Sequence, residues 1–310
     1  MIVRRLSFVA LIAIASMFAG CSSVGVMPQD SKPAMDMQKL SDGDGSVSLA
    51  IREKGKGEPV IMLHGLGASS YTWRHVQDGL ARTHHVIAID FKGFGQSEKP
   101  LDGHYSIADQ ARLIGEFIRE RNLRGVTLIG HSFGGAVALT MALKQKDAGE
   151  RRIKRLVLVD TVAYRQPMPF FFKMLRTPVI GEIGMELVPS DVQISKALAS
   201  AYYNKNKIEQ DTVANYAAAL DTEGGRHALF HTINSFEPDK ADFVAARYHE
   251  MKLPALLLWC DHDRIVPLRF GRKLARDLPN ARIQVIKNCG HIPQEEQPSA
   301  TLDAVKSFVQ

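Results

Sequence analysis

Short apolar runs alternate with longer amphipathic segments along most of this 310-residue chain. The runs are rich in Val, Ile and Leu and are predicted to be strands, and the segments between the early ones have helical periodicity. Ser106 and Asp109 form a capping-box pattern at the start of one such helix. Alternation of this kind predicts an α/β fold with a mostly parallel sheet and helices on both faces. The strands are predicted at residues 47–52, 59–63, 86–89, 126–129, 156–159, 255–259 and 282–286, and the helices at 70–81, 106–121 and 135–143.

The pattern changes between residues 160 and 250, where β-branched runs disappear and helical segments such as 192–203 and 212–220 follow one another. This stretch is too long for an ordinary loop. We predict a helical cap over residues 163–246, inserted after the sixth of eight strands into a core formed by 46–162 and 247–310. Its apolar start, residues 167–175, either packs the cap onto the core or forms an acyl-binding wall or lipid-contacting surface.

The N-terminus has the pattern of an export signal. Arg4 and Arg5 precede an apolar run that ends at Gly20 and is too short to span a bilayer comfortably. Ala19-Gly20-Cys21 resembles a bacterial lipobox, although Phe18 departs from it. We expect a signal peptide at 1–20, a lipidated Cys21, and a flexible tether over 21–45. Ser22 after the cysteine favours the outer membrane, facing the periplasm, in a Gram-negative host. The alternative is an ordinary secreted protein in which Cys21 is incidental.

Composition narrows the possible partners. The chain is 45% hydrophobic and 23% charged with a net charge of +6, which becomes +4 without Arg4 and Arg5 because 37 basic residues then face 33 acidic ones. Basic residues are not interleaved with aromatics in a stripe, so no nucleic-acid partner is expected. His84, His85, His227 and His231 lack the spacing of metal ligands, so we expect neither a metal nor another cofactor. The oligomeric state stays open.

Residues 130–134, Gly-His-Ser-Phe-Gly, carry the most informative chemistry. They connect a predicted strand to a predicted helix, and a serine in such a tight turn is lifted above the sheet, where a base can reach it. Flanking glycines suit the turn because a Cβ would clash there. Ser132 is therefore the candidate nucleophile.

Two polar residues after the last predicted strands can complete this site. Asp263 and His291 each follow a strand at the carboxyl edge of the sheet, and the order Ser132, Asp263, His291 is that of a hydrolase triad. Asp261 and Asp160 are competing candidates for the acid. Cys260 and Cys289 lie close to the acid and the base; two small buried thiols are favoured over a disulfide that clamps both loops.

The chain resembles the α/β-hydrolase superfamily and, within it, the cap-bearing esterase, lipase and C–C hydrolase branch. The resemblance covers residues 46–310 and implies that the backbone N–H groups of Phe133 and Leu66 form the oxyanion hole. Similar meta-cleavage hydrolases carry Asn and Trp where this chain has His131 and Ile292, while haloalkane dehalogenases and epoxide hydrolases use Asp where it has Ser132. The resemblance is carried by residues 64–67, 90–97, 130–135, 261–267 and 290–293.

These observations predict a serine hydrolase that cleaves carboxylic esters through an acyl-enzyme intermediate. A membrane tether and an apolar cap favour lipid-derived or short acyl esters over charged small-molecule substrates. A C–C bond hydrolase acting on meta-cleavage products is the alternative. A non-catalytic lipoprotein that uses the fold for binding is a third reading, which the presence of all three triad candidates disfavours.

Overall fold

An eight-stranded sheet forms the centre of the molecule, with the strand order β1-β2-β4-β3-β5-β6-β7-β8. β1 pairs with β2 and β2 with β4 in antiparallel fashion, and every other pair is parallel. This confirms the predicted α/β-hydrolase sheet. The strands are β1 Asp36–Asp42, β2 Gly45–Lys54, β3 Pro59–Leu63, β4 His85–Ile89, β5 Val126–His131, β6 Ile153–Val159, β7 Ala255–Cys260 and β8 Ala281–Ile286.

The computed structural model describes residues 35–43, 45–167, 173, 176 and 188–310. The predicted signal peptide at 1–20, the predicted lipidation site Cys21 and most of the apolar stretch 167–175 lie outside these residues. The part from Met35 to Gln310 forms one compact unit.

Strand β1 corrects one sequence-based expectation. Residues 21–45 read as a flexible tether, yet Asp36–Asp42 pair in register with β2, with Leu40 opposite Val47. Leu40 and Val47 are both buried in the core. Burial of these side chains and the backbone hydrogen bonds to β2 stabilise β1 as an edge strand, although its polar composition suggested a flexible tether.

Helices cover the sheet on two faces because successive strand residues point in opposite directions. In β7, Leu257 and Trp259 belong to one hydrophobic cluster, whereas Leu256 and Leu258 belong to another. Each face therefore has its own hydrophobic core. The helices in the described part of the chain are α1 Gln77–Ala81, α2 Ile107–Glu120, α3 Phe133–Asp147, α4 Ser190–Ala201, α5 Gln210–Ala217, α6 Glu223–Asn234, α7 Pro238–Ala246, α8 Leu268–Asp277, α9 Pro293–Glu296 and α10 Pro298–Val309.

The single helix predicted over 70–81 is wrong. A 3₁₀ turn at Ser70–Trp73 precedes α1, which begins only at Gln77. The carbonyl of Tyr71 accepts hydrogen bonds from both the backbone N–H and the guanidinium of Arg74. In a continuous α-helix this carbonyl would accept instead from the N–H four residues later, so the two bonds from Arg74 favour the tighter 3₁₀ turn.

Helices α4–α7 lie in sequence between β6 and β7, and we call them the inserted helices. Ile194 and Leu198 of α4, Tyr216 of α5 and Ile233 of α6 are buried and belong to the same core cluster as α3. The apolar faces of the inserted helices therefore belong to the hydrophobic core on the face of the sheet that α3 covers. Among the described helices, none is both long enough and apolar enough to cross a bilayer.

Candidate active site

Ser132 occupies a strained turn between β5 and α3. Its backbone has φ 52° and ψ −112°, a conformation that L-residues rarely adopt. A Cβ on Gly130 would lie 2.4 Å from the carbonyl oxygen of Gly134, and one on Gly134 would lie 2.5 Å from that of Leu63. Both glycines are therefore required by the close backbone approach, as the sequence motif indicated. The turn places the serine side chain at the carboxyl edge of the sheet.

His291 connects the serine to the predicted acid. Its Nε2 lies 3.0 Å from the Oγ of Ser132, and its Nδ1 lies 2.8 Å from Oδ2 of Asp263. All three side chains are buried, and Ser132 is 8% exposed. The structure thus brings together three residues that are separated by up to 159 positions in the chain.

Asp263 is held in place by the loop that follows it. Its Oδ1 accepts hydrogen bonds from the backbone N–H groups of Ile265 at 2.7 Å and Val266 at 2.9 Å. Oδ2 thereby stays directed at the imidazole. Asp261, the nearer competing candidate, instead contacts His262 at 2.7 Å and takes no part in this arrangement.

Asp160, the second competing candidate, lies beneath Asp263 at the end of β6. It is fully buried, and its Oδ1 accepts a hydrogen bond from the backbone N–H of Cys260 at 3.0 Å. Burial and the neighbouring charge of Asp263 raise the pKa of Asp160 well above its ordinary value. Asp160 is therefore not the partner of His291, whose Nδ1 contacts Asp263 instead.

Two further histidines brace the site. His131 donates from Nε2 to the carbonyl oxygen of His291 at 2.7 Å, and burial lowers its pKa well below the ordinary value. The Nε2 of His64 accepts from the backbone N–H of Phe91 at 3.0 Å, and its Nδ1 donates to Gly65 O at 2.7 Å. Burial likewise lowers the pKa of His64. Both rings are neutral structural groups, and His131 holds the backbone of His291.

A disulfide joins Cys260 to Cys289. The sequence favoured two separate thiols, because spacing alone did not show that the ends of β7 and β8 bring the two Cα atoms to 4.9 Å. Both cysteines are fully buried. The bond connects the loop of Asp263 to the loop of His291.

Two buried glutamates after His291 were not singled out by sequence reasoning. Glu295 accepts hydrogen bonds from Thr72 at 2.7 Å, from Tyr202 at 2.9 Å and from Tyr216, and it pairs with Arg74 at 2.8 Å. Because Tyr202 and Tyr216 belong to the region of the inserted helices, Glu295 fastens that region to the core. The only sequence signal was a pair of acidic residues beside the candidate base.

Glu296 links the same parts through backbone groups. Its Oε2 accepts from the N–H of Gly290 at 2.7 Å and of Tyr203 at 3.1 Å, and its Oε1 accepts from the N–H of Asn204 at 2.6 Å. In addition, the N–H of His291 donates to Ala201 O at 2.6 Å. The loop that carries His291 is therefore directly bonded to the end of α4.

A cavity of about 1310 Å³ opens above Ser132. The buried Ser132 and His291 line its floor. Its other lining residues include Leu66 and Phe133 of the core and Ile194, Tyr216 and Val244 of the inserted helices. Most of these side chains are apolar. Because Phe133 is the first residue of α3, its N–H belongs to the helix turn whose donors lack intrahelical partners.

Across the described residues, no cluster of three or more His, Cys, Asp or Glu side chains is arranged to hold a metal ion.

A family model described as alpha/beta hydrolase fold matches residues 58–298. The chain belongs to this family. The match contains Ser132, Asp263 and His291. The hydrolase class follows from the family, whereas the substrate does not, since one fold hosts many reactions.

Individual relatives span different reactions. "Lipase 3" of Moraxella sp. (strain TA144) is 25% identical over 99% of this chain and 98% of its own length. The "2-hydroxymuconate semialdehyde hydrolase" of Pseudomonas putida is 28% identical over 84% of this chain and 89% of its own length. A crystal structure of an alpha/beta hydrolase fold protein from Burkholderia ambifaria has a TM-score of 0.76 and 27% identity, covering 88% of this chain and 100% of that one.

Proposed function

We propose that this protein is a serine hydrolase of carboxylic esters. The observation that carries the proposal is the continuous contact from Ser132 Oγ through His291 to Asp263 at 3.0 and 2.8 Å, at the floor of a largely apolar cavity. A serine hydroxyl is inert alone and becomes a nucleophile when an adjacent imidazole accepts its proton.

The reaction follows from this geometry. Ser132 Oγ attacks the ester carbonyl while His291 Nε2 takes the hydroxyl proton, and Asp263 stabilises the resulting imidazolium. The N–H groups of Leu66 and Phe133 are proposed to bind the oxyanion. When the C–O bond breaks, His291 returns the proton to the leaving alcohol. A water molecule then attacks the acyl carbonyl while His291 Nε2 takes a proton from it. When the acyl–serine bond breaks, His291 returns this proton to Ser132 Oγ and the carboxylic acid is released.

The lining of the cavity supports acyl substrates. Side chains such as Phe133, Ile194, Leu229 and Val244 present apolar surface inside the cavity that contains the nucleophile. An acyl chain released from water there gains roughly 0.8 kcal/mol for each buried methylene group. Lipid-derived or short acyl esters fit such a site, and the likeness to a lipase over nearly the whole chain is consistent with it.

A C–C bond hydrolase of the meta-cleavage type is the second candidate. It is favoured by the relative named 2-hydroxymuconate semialdehyde hydrolase, which has the higher identity of the two. The same serine, histidine and aspartate would serve that reaction. His131 and Ile292, which differ from the residues that the resemblance implies for such enzymes, place it second.

We further propose that the protein is exported, lipidated at Cys21 and held on the outer membrane facing the periplasm. The support is the lipobox-like sequence Ala19-Gly20-Cys21-Ser22 and the apolar run before it. Labelling of cells with a radioactive or clickable fatty acid tests this, because Cys21→Ala should abolish incorporation.

The full-length protein in mild detergent, offered p-nitrophenyl esters of graded acyl length, tests the reaction. Ser132→Ala should lower kcat by at least about 10⁴-fold, and a fluorophosphonate should label Ser132 covalently. Ser195→Ala, an exposed serine of α4 that does not line the cavity, is the matched control and should keep full turnover. Turnover that survives Ser132→Ala would refute the mechanism. Activity confined to a dienol ketone would replace ester cleavage with C–C cleavage. Absence of both activities and of fluorophosphonate labelling would leave a binding role.

A further inference from the structure

The wall of the cavity has an unbalanced charge. Among the lining residues that the structure describes, five are basic and a single carboxylate, Glu237, opposes them. The chain as a whole has 39 basic and 33 acidic residues, so this ratio is not simply the background. The five are Arg165, Lys173, Arg176, Lys196 and Lys240.

These charges lie at the solvent side of the cavity. All five basic residues are exposed, whereas Ser132 and His291 are buried. The walls beside the nucleophile are formed by apolar residues such as Phe133 and Ala136. The cavity is therefore apolar at its floor and cationic at its rim.

Two of the rim cations have no acidic partner among the residues that the structure describes. Lys240 pairs with Glu237 at 2.6 Å, and Arg165 lies 3.9 Å from Asp242. Lys196 and Arg176, in contrast, make no ion pair within the part of the chain that the structure describes. An exposed aromatic ring, Phe243, accompanies them on the cavity wall and is 65% exposed.

We propose that the substrate is an amphiphilic ester with an anionic group, a carboxylate or a phosphate, that binds Lys196 and Arg176 while its apolar part fills the cavity. This rests on the proposed ester hydrolysis and revises the expectation from sequence that uncharged esters are preferred. Guanidinium and ammonium groups form charge-assisted hydrogen bonds with both kinds of anion. The apolar floor and the cationic rim together favour a substrate that carries an apolar chain and an anionic group in the same molecule.

Matched substrates test the selection. One pair is the p-nitrophenyl monoester of a long α,ω-dicarboxylic acid and the p-nitrophenyl ester of the monocarboxylic acid with the same number of carbons. A second pair is a short-chain phosphatidic acid and the diacylglycerol with the same chains, both kept monomeric. The wild-type protein should have the higher kcat/KM for the anionic member of at least one pair, and the pair that responds identifies the anion.

Charge reversal locates the effect. Lys196→Glu with Arg176→Glu should lower the anionic-to-neutral ratio of kcat/KM by roughly tenfold, since two attractions become repulsions. Lys205→Glu with Arg151→Glu changes the net charge equally at exposed positions that do not line the cavity, and should leave the ratio unchanged. If the double reversal does not fold, the wild-type ratio measured from low to high salt serves instead, and it should fall as salt screens the rim.

Neutral esters turned over with no anionic preference, or a ratio that neither reversal nor salt changes, would overturn this inference and leave ester hydrolysis intact. A reversal effect seen only with substrate in anionic vesicles would also overturn it, because the cations would then serve membrane contact. Loss of turnover on every ester in the wild type would instead refute the proposed function.

Discussion

Cys260 and Cys289 are joined by a disulfide that links the loop of Asp263 to the loop of His291. Asp263 comes three residues after the first cysteine, and His291 comes two residues after the second. The disulfide thus gives Asp263 and His291 a short covalent connection, and the contact between Nδ1 of His291 and Oδ2 of Asp263 at 2.8 Å closes it non-covalently. The relative position of Asp263 and His291 is set by a covalent bond as well as by packing.

Removing this bond should weaken both stability and catalysis. The cysteines are separated by 29 positions, and closing a loop of that size typically stabilises a protein by about 2–4 kcal/mol. Cys260→Ala with Cys289→Ala should lower the unfolding free energy by about that amount and reduce kcat more than it changes KM. Urea unfolding and ester kinetics check this. A reductant should lower the unfolding free energy and kcat of the wild type but not of the double variant. If mass spectrometry finds Cys260 and Cys289 as free thiols in the unreduced protein, the prediction is contradicted.

Asp160→Asn should stabilise the protein at neutral pH. Burial and Asp263 raise the folded-state pKa of Asp160, while its unfolded pKa is about 3.9. The stability from this group is fully present below about pH 4 and is lost as pH rises towards the folded pKa, at about 1.4 kcal/mol for each pH unit. Asn stays neutral and tolerates the left-handed backbone, φ 41°, found here.

Chemical unfolding from pH 4 to 8 measures this effect of Asp160. The variant and the wild type should be similar near pH 4, with the variant gaining as pH rises. A variant that is destabilised by the same amount at every pH would mean that Asp160 is ionised in the folded protein.

Glu295→Gln should be strongly destabilising. The Glu295 side chain is fully buried and pairs with Arg74, so removing its charge leaves a largely buried guanidinium without its main partner, at a cost of about 3 kcal/mol. Glu209→Gln is the matched control because Glu209 pairs with the same Arg74 but is 48% exposed, and it should cost less than about 1 kcal/mol. Equal effects of the two variants in urea unfolding would refute the proposed anchoring role of Glu295.

Gly290→Ala should impair the site through the inserted helices. An added Cβ would lie 2.0 Å from Ala201 O and 2.6 Å from Tyr203 N, so the backbone at the end of α4 must move. We expect a loss of about 1–3 kcal/mol of stability and at least a tenfold fall in kcat. Gly103→Ala, where nothing lies within 4 Å of the added atom, should change neither. Normal kinetics for Gly290→Ala would show that this contact is dispensable.

The parts predictable from sequence were those encoded locally. The strand-serine-helix turn around Ser132 and the strand ends before Asp263 and His291 each carry their own pattern, so the sequence predicted which residues meet. Strand β1 was missed because its polar residues pair through backbone groups, and its register comes from β2. The anchoring by Glu295 and Glu296 depends on partners up to 223 positions away, which no local pattern records.

The bond from the N–H of His291 to Ala201 O joins the proposed base to the last residue of α4. Any outward swing of that helix to admit a bulky molecule would have to break this bond and pull on the imidazole. The cavity therefore cannot be opened by moving α4 while His291 keeps its position. A large substrate must enter without displacing α4, or it can react only after α4 has returned.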